Sequence, residues 1–194
     1  MKVPTLDKLL EDQLKDIYSA ESQLLKALPK MAKAASTPAL KAALTAHLEE
    51  TRGQVERLTR VGEHLGIAKL TGKKCAAMEG LIEEGKEALE MEAPPAILDL
   101  AIIAAAQRVE HYEMAAYGTA RAIAEHLGHG EVVKLLQETL DQESAADEKL
   151  TAVASDAVFP SIKEGPEDEV EDDEDEDEKP APKKKATPTK AARK

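Results

Sequence analysis

Apolar residues recur at intervals of three, four and seven along four long segments of this 194-residue chain. Such intervals place them on one face of an α-helix, and that face is then buried against other helices. In the first segment the series includes Leu10, Leu14, Ile17 and Leu24. The spacing predicts four long helices, at residues 5–34, 38–65, 96–127 and 131–156.

The connections between these helices are of unequal length. Residues 36–38 and 128–130 are short stop-and-start signals, and Thr37 can cap the second helix. Residues 66–95 form a much longer connection, which contains a shorter helical pattern at residues 75–90. Two helical hairpins joined by one long crossover have the connectivity of ferritin-like bundles. We therefore predict an all-α, ferritin-like four-helix bundle with a short helix in its crossover.

Composition favours a helical domain followed by a charged tail. Aromatic residues make up 2% of the chain, with no Trp and one Phe, so its apolar surface suits helix packing better than sheets. Residues 164–178 carry twelve acidic side chains and no basic one, and residues 179–194 carry seven basic side chains and no acidic one. Such segments bury too little apolar surface to offset the entropy of ordering. We predict a bundle at residues 1–160 and a disordered tail at residues 161–194.

Several other classes of protein are disfavoured. The single Cys75 excludes an intramolecular disulfide, and no basic segment followed by an apolar run opens the chain. The most apolar stretch, residues 96–106, contains Asp99 and is far shorter than the roughly 20 residues of a membrane-spanning helix. The net charge of −12 disfavours a duplex-binding surface on the folded domain. We expect a cytoplasmic protein without a membrane span.

Each apolar series is interrupted near its middle by a carboxylate. The interrupting residues are Glu21, Glu50, Glu113 and Glu143. Because the midpoints of the predicted helices fall near residues 20, 51, 112 and 143, these side chains would meet at one level of a bundle. Three further candidates, within one turn of them on compatible faces, are Glu110, Gln54 and Asp147.

Several carboxylates in a low-dielectric interior repel one another, and an isolated buried charge is very costly. No Lys or Arg interrupts the series near these positions, which leaves protons or hard cations with oxygen ligands to neutralise them. Two iron or manganese ions bridged by carboxylates satisfy the charge count and suit oxygen-rich ligands. The alternatives are surface glutamates on helices of a different phase, or polar core residues that fix helix register.

Four further side chains are candidates to support such a site. His47 lies three residues before Glu50 on the same face, where it could be a nitrogen ligand, a donor to a ligand or a structural histidine. Tyr18 and Tyr112 flank the predicted level, and Tyr117 lies further along the same helix as Tyr112. These tyrosines could relay an electron, hydrogen-bond a ligating carboxylate or simply pack in the core.

Five segments of the chain carry a family resemblance. They are DIYSAESQLLKALPKMA near the start, HLEETRGQVERL (47–58), CAAMEGLIEEGKEALE (75–90), AAAQRVEHYEMAAYGT (104–119) and LLQETLDQESAADEKLT (135–151). In order and spacing, over about residues 5–155, they closely resemble the YciE/YciF family of bacterial stress-associated ferritin-like proteins. The resemblance implies a ferritin-like fold, a homodimer and a di-metal site. Its ligands would map onto Glu21, Glu50, Glu113 and Glu143, with Glu110, Gln54 and Asp147 as further candidates.

The chain departs from the wider di-iron carboxylate pattern, which pairs Glu with His three residues later. The third residue after Glu50 is Gly53, and the third after Glu143 is Ala146, so nitrogen ligation is reduced. One function that follows is a redox protein in which two Fe or Mn ions react with peroxide or O₂. The other is a non-catalytic stress protein that sequesters metal or contacts nucleic acid or another partner through its tail.

Deleting residues 164–194 is expected to leave the melting temperature and the metal content unchanged, because the predicted tail adds no packed surface. Any weak DNA retention by the basic end should disappear in the truncated chain, and in the full chain it should weaken as salt is added. Calorimetry, metal analysis and DNA-affinity chromatography check these outcomes. A substantial loss of bound metal on truncation would contradict the predicted separation of bundle and tail.

Overall fold

The computed structural model describes residues 3–162, in which every regular element is a helix. The helices are α1 (Leu6–Ala34), α2 (Pro38–His64), α3 (Ala76–Leu89), α4 (Pro95–His126) and α5 (Gly130–Val153). The last of them continues into one π-helical turn, Ala154–Val158, and a 3₁₀ turn, Phe159–Ser161. The predicted all-α fold is confirmed. The tail predicted at residues 161–194 lies, except for its first two residues, outside the described part of the chain.

The four long helices pack as a bundle of two hairpins. α1 packs on α2 and α4 packs on α5, and the hairpins meet where α2 contacts α5 and α1 contacts α4. The short α3 lies in the crossover between α2 and α4, and it packs on α4 and α1. This is the ferritin-like connectivity that the unequal connections predicted. Within residues 3–162, no helix combines the length and the apolar character that a membrane span requires.

The apolar core is divided into two clusters. The principal members of the first cluster are Leu24, Leu28, Leu40, Leu44, Met78, Ile102, Ile103 and Leu150. The principal members of the second cluster are Leu10, Leu14, Ile17, Leu58, Val61, Tyr117 and Leu136. Along α2, α4 and α5 buried polar residues separate the two clusters, and on α1 the buried Glu21 lies where the clusters meet. The bundle therefore encloses a polar layer between two apolar clusters.

The start of α2 is capped by a residue of another helix. Thr37 precedes α2, but its side chain makes no capping hydrogen bond. Instead the fully buried carboxylate of Asp99, on α4, accepts hydrogen bonds from the backbone N–H groups of Ser36 at 2.8 Å and Thr37 at 2.7 Å. Asp99 interrupts an apolar stretch of the sequence because it joins the α1–α2 turn to α4.

Replacing Asp99 by Ala is expected to lower the free energy of unfolding by about 2–5 kcal/mol, because two backbone N–H donors lose a charged acceptor. The matched control is Thr37→Ala, which should cost less than about 0.5 kcal/mol, since no capping bond is removed. Chemical denaturation of both variants measures the difference. Equal losses in the two variants would contradict the assignment of the cap to Asp99.

Candidate metal centre

The polar layer is defined by buried side chains from all four long helices. It consists of Glu21 of α1, His47, Thr51 and Gln54 of α2, Glu110 and Glu113 of α4, and Thr139 and Glu143 of α5. None of them is more than 5% exposed. Each lies on a helical face that also carries core residues, as Glu21 does between Ile17 and Leu24. The helices therefore cannot bury their apolar residues without burying these polar ones.

Four residues of the layer converge on one point. His47, Glu110, Glu113 and Glu143 each offer one ligand atom, and these four atoms lie within 4.8 Å of one another. The Nε2 atom of His47 is 3.4 Å from Oε1 of Glu110 and 3.8 Å from Oε2 of Glu143. Glu21 lies close enough for its charge to raise the pKa values of Glu110 and Glu113, after the larger effect of burial. Four carboxylates and one imidazole thus share one buried space.

Many polar atoms of the layer have no hydrogen-bond partner among the described residues. Eight such atoms are Oε2 of Glu21, Nε2 of His47, Oε1 of Gln54, Oε2 of Glu110, and both carboxylate oxygens of Glu113 and of Glu143. Buried polar groups in proteins are nearly always paired, and leaving one unpaired costs about 1–3 kcal/mol. Eight in one place require a partner that residues 3–162 do not supply.

Burial and mutual repulsion raise the pKa values of all four glutamates. Burial is the larger cause in each case, and it raises the pKa of Glu21 and that of Glu110 from 4.5 to about 8. The same causes hold the pKa values of Glu113 and Glu143 well above 4.5. Without a cation, the layer therefore holds protons at neutral pH that exposed glutamates would have lost.

His47 is oriented by Glu50, which lies at the rim of the layer. The Nδ1 atom of His47 is 3.3 Å from Oε2 of Glu50, whose side chain is 45% exposed. Burial lowers the pKa of His47, but the hydrogen bond with Glu50 and the charges of the buried glutamates raise it by more. A proton on Nδ1 points to Glu50, which leaves Nε2 directed at Glu110 and Glu143. The structure thus places Glu50, predicted as a ligand, beside a histidine and away from the converging atoms.

The three predicted tyrosines have different surroundings. Tyr117 is fully buried and donates a hydrogen bond of 2.5 Å to Oε1 of Glu21. Tyr112 donates to Asp16 at 2.7 Å, and its hydroxyl is 2.9 Å from the Cys75 sulfur, so its hydrogen bonds lie outside the layer. Tyr18 is half-buried and packs against the second apolar cluster. Tyr117 is the one of the three that contacts a layer carboxylate.

The two remaining predicted ligands differ in position. The Gln54 side chain is fully buried in the layer, and its Nε2 donates to Oε1 of Gln142 at 3.3 Å. Asp147 lies outside the converging group: its side chain is 22% exposed, and its Oδ1 is 3.0 Å from Nε2 of Gln107 and 3.4 Å from Nε2 of His111. The structure therefore brings Gln54 to the layer and leaves Asp147 at its edge.

Arg57 is a buried cation that the apolar periodicity did not predict. No Lys or Arg interrupts the predicted apolar series near the carboxylates, but Arg57 on α2 is buried beside the layer and is only 7% exposed. Its guanidinium donates to Thr139 at 2.7 Å, Gln142 at 3.1 Å and Glu138 at 2.5 Å. Its position three residues after Gln54 is the one sequence signal for this burial. Its charge slightly lowers the raised pKa of Glu21, a smaller effect than burial.

Comparisons with known proteins identify relatives over nearly the whole described region. The model of a family described as a domain of unknown function, DUF892, matches residues 5–161. Protein YciF of Escherichia coli K12 is 49% identical over 154 residues, which are 79% of this chain and 93% of YciF. The crystal structure of that E. coli stress protein matches with a TM-score of 0.76 over 78% of this chain and 96% of its own.

Two further solved structures are similar to this chain. YcfI of Rhodopseudomonas palustris, for which a structural role has been proposed, is 49% identical, with a TM-score of 0.76 over 79% of this chain and 97% of its own. A protein of Xanthomonas campestris is 23% identical, with a TM-score of 0.60 over 78% of this chain and 92% of its own. This more distant likeness shows the fold alone.

The metal-free protein is expected to lose stability as the pH rises from about 4.5 to about 8. In that window the unfolded chain has ionised its glutamates, while the folded layer, with the pKa values of Glu21 and Glu110 at about 8, still holds protons. Folding therefore takes up protons, and His47, whose pKa is also raised, acts in the same direction. Melting temperatures measured in chelator across this range check the slope.

The Glu113→Gln variant should reduce this pH dependence, because the amide cannot ionise in the layer. The matched control is Glu148→Gln on an exposed position of α5, which should keep the slope. A melting temperature of the metal-free wild type that is constant or rises between pH 5 and pH 8 would contradict the raised pKa values.

Proposed function

This chain belongs to the DUF892 family, as its resemblance to YciE/YciF proteins predicted, and we propose that its polar layer binds two divalent metal ions, iron or manganese. We further propose that the metal site reacts with a small oxidant, peroxide or O₂, as part of a bacterial stress response. The relative YciF is described as a stress protein of E. coli, which supports a role in the stress response. The observation that carries the proposal is the group of eight unpaired atoms in the layer.

Cations fit these atoms better than protons do. A proton gives a carboxyl group one O–H donor, whereas bridging cations engage both oxygens of a carboxylate. Both oxygens of Glu113 and of Glu143 lack a partner. The free Nε2 of His47 faces two carboxylates, as the lone pair of an imidazole ligand would. The layer thus offers the donor set of a metal centre.

The charge balance favours two ions. Glu21, Glu110, Glu113 and Glu143 are all buried to 2% exposure or less, and when ionised they carry four negative charges. Two divalent cations neutralise them, whereas one would leave a net charge of −2 in a low-dielectric interior. The charge of Arg57 does not change this balance, because Arg57 pairs with Glu138. Carboxylate oxygens with one imidazole suit iron and manganese better than metals that prefer thiolates. Glu50 is left out of this balance because it is exposed to solvent.

Residues around the ligands hold them in place. Tyr117 donates to Glu21 and thereby leaves the second oxygen of this carboxylate free for a cation. Glu50 fixes the ring of His47 by accepting from Nδ1, the arrangement in which a carboxylate orients a metal-binding imidazole. Iron or manganese, when bound, supplies one-electron chemistry that no side chain of the layer has. Metal sequestration without turnover is the alternative, and the deep burial of the carboxylates favours it.

Metal analysis of the full-length protein after anaerobic loading with Fe²⁺ or Mn²⁺ tests the proposal. The wild type should hold about two ions per chain. Glu143→Ala should lose at least one of them while remaining helical in circular dichroism, because removing a buried like charge relieves repulsion in the metal-free layer. The matched control, Glu148→Ala on an exposed position of the same helix, should keep both.

Glu50→Ala should bind the same number of metal ions but with an affinity lowered by about 10–100-fold. Losses of this size are typical when a carboxylate that orients a histidine ligand is removed. Full metal content in Glu143→Ala would place the site elsewhere. Peroxide consumption by the loaded wild type then separates the two functions: turnover supports the redox protein, and bound metal without turnover supports sequestration.

A further inference from the structure

We propose that the cavity between α2, α4 and α5 is the port through which divalent cations enter and leave the buried layer, and that Glu50 is the first carboxylate they meet. This inference rests on the proposed metal binding. It adds a route and two residues, Ala146 and Lys149, that control the rate of exchange without contacting the bound ions.

A route is required because the ligands are inaccessible. Glu113 and Glu143 are at most 1% exposed, so no ion can reach them from solvent without passing other side chains. Exposure increases in one direction, from Glu110 at 2% through the His47 side chain at 7% to the Glu50 side chain at 45%. These three residues form a continuous series, since His47 is 3.4 Å from Glu110 and 3.3 Å from Glu50.

The same three residues line one cavity. It has a volume of about 220 Å³, which exceeds the roughly 10–15 Å³ that one water molecule needs, so a partly hydrated ion fits. Its remaining walls are small or neutral residues and one lysine: Ala43, Leu44, Ala46, Gln142, Ala145, Ala146, Lys149 and Leu150. A second cavity of about 220 Å³ lies between α1, α3 and α4, but it contains no acidic residue. Of these two cavities, only the first is lined by a carboxylate of the layer, Glu110.

A missing side chain keeps this cavity open. Ala146 is the third residue after Glu143, where the di-iron carboxylate pattern has a histidine. Ala146 lines the cavity, and its methyl group is smaller than the imidazole of that histidine. Ala146 therefore has two consequences: the site lacks the nitrogen ligand of the di-iron pattern, and the cavity beside the layer stays open.

The charges at the cavity act in opposite directions. Glu50 lines the cavity and its side chain is 45% exposed, so it presents a carboxylate to cations arriving from solvent. Lys149 lines the same cavity and repels them. Replacing Lys149 therefore tests whether the charge at the cavity affects the rate of ion exchange, and replacing Ala146 tests whether the volume of the cavity does.

The experiment measures how fast the metal-free full-length protein takes up Co²⁺ and how fast the loaded protein releases it to excess chelator. Both rates are monitored in a stopped-flow instrument by the visible absorption of the bound ion. Ala146→Leu should slow both uptake and release by at least about tenfold, corresponding to about 1.4 kcal/mol of added barrier. Stoichiometry and dissociation constant should be unchanged, since no ligand is altered. The matched control is Ala27→Leu, which makes the same change at a half-buried alanine of the second cavity and should exchange at the wild-type rate.

Lys149→Glu, at an exposed position, provides a test that does not depend on core packing. At low ionic strength it should speed uptake by about two- to tenfold, and added salt should reduce the gain. Wild-type exchange rates in both Ala146→Leu and Lys149→Glu would overturn the port. A wild type that binds no Co²⁺, Fe²⁺ or Mn²⁺ would instead overturn the proposed function, and the port with it.

Discussion

Like-charged carboxylates are buried between two apolar clusters, and the rest of the structure depends on how their charge is neutralised. Each long helix carries both clusters on one face with polar residues where the clusters meet, so apolar burial forces Glu21, Glu110, Glu113 and Glu143 into a common interior. The gain from apolar burial is roughly 25 cal/mol per Å², and it is opposed by desolvation of each charge. Protons relieve this opposition at low pH, and metal ions would relieve it at neutral pH. Stability and metal binding are therefore linked, because a ligand that binds only the folded state stabilises it.

The helices contribute unequally to the layer. α4 supplies two carboxylates three residues apart, Glu110 and Glu113, whereas α1 and α5 supply one each. α2 supplies the imidazole of His47 and the amide of Gln54, and its only nearby carboxylate, Glu50, lies at the rim. His47 thus precedes Glu50 by three residues, whereas in the di-iron carboxylate pattern the histidine follows the glutamate by three residues. Glu21 is fully buried, whereas His47 contacts the partly exposed Glu50, so exposure to solvent increases towards α2.

Periodicity and loop length were sufficient to predict the fold, because apolar spacing defines helix faces and the long crossover restricts their connection. The same reasoning brought Glu21, Glu113 and Glu143 to one level. It was least informative for α2, where the buried positions advance from His47 by four residues to Thr51 and then by three to Gln54. Thr51 is inconspicuous in sequence, since its hydroxyl is satisfied by the carbonyl of His47 at 2.9 Å.

Tertiary contacts account for what the sequence could not predict. Charged residues are mostly exposed, and the spacing of Arg57 from Gln54 does not by itself reveal the partners that bury it. Arg57 donates to Thr139 and Gln142 of α5, whereas Arg52 on the same helix is exposed. Asp99 is a similar case, because its two backbone partners lie more than sixty residues away along the chain. Long-range partners of single polar side chains leave no periodic signal.

Anomalous diffraction from a crystal grown with Mn²⁺ tests the central claim most directly, because it locates the ions without reference to activity. We expect two anomalous peaks within the layer, each within bonding distance of oxygens from at least two of Glu21, Glu110, Glu113 and Glu143. One of the peaks should lie adjacent to Nε2 of His47. A crystal in which Mn²⁺ is bound at full occupancy only by surface carboxylates, while the layer holds water or protonated carboxyl pairs, would contradict metal binding by the layer.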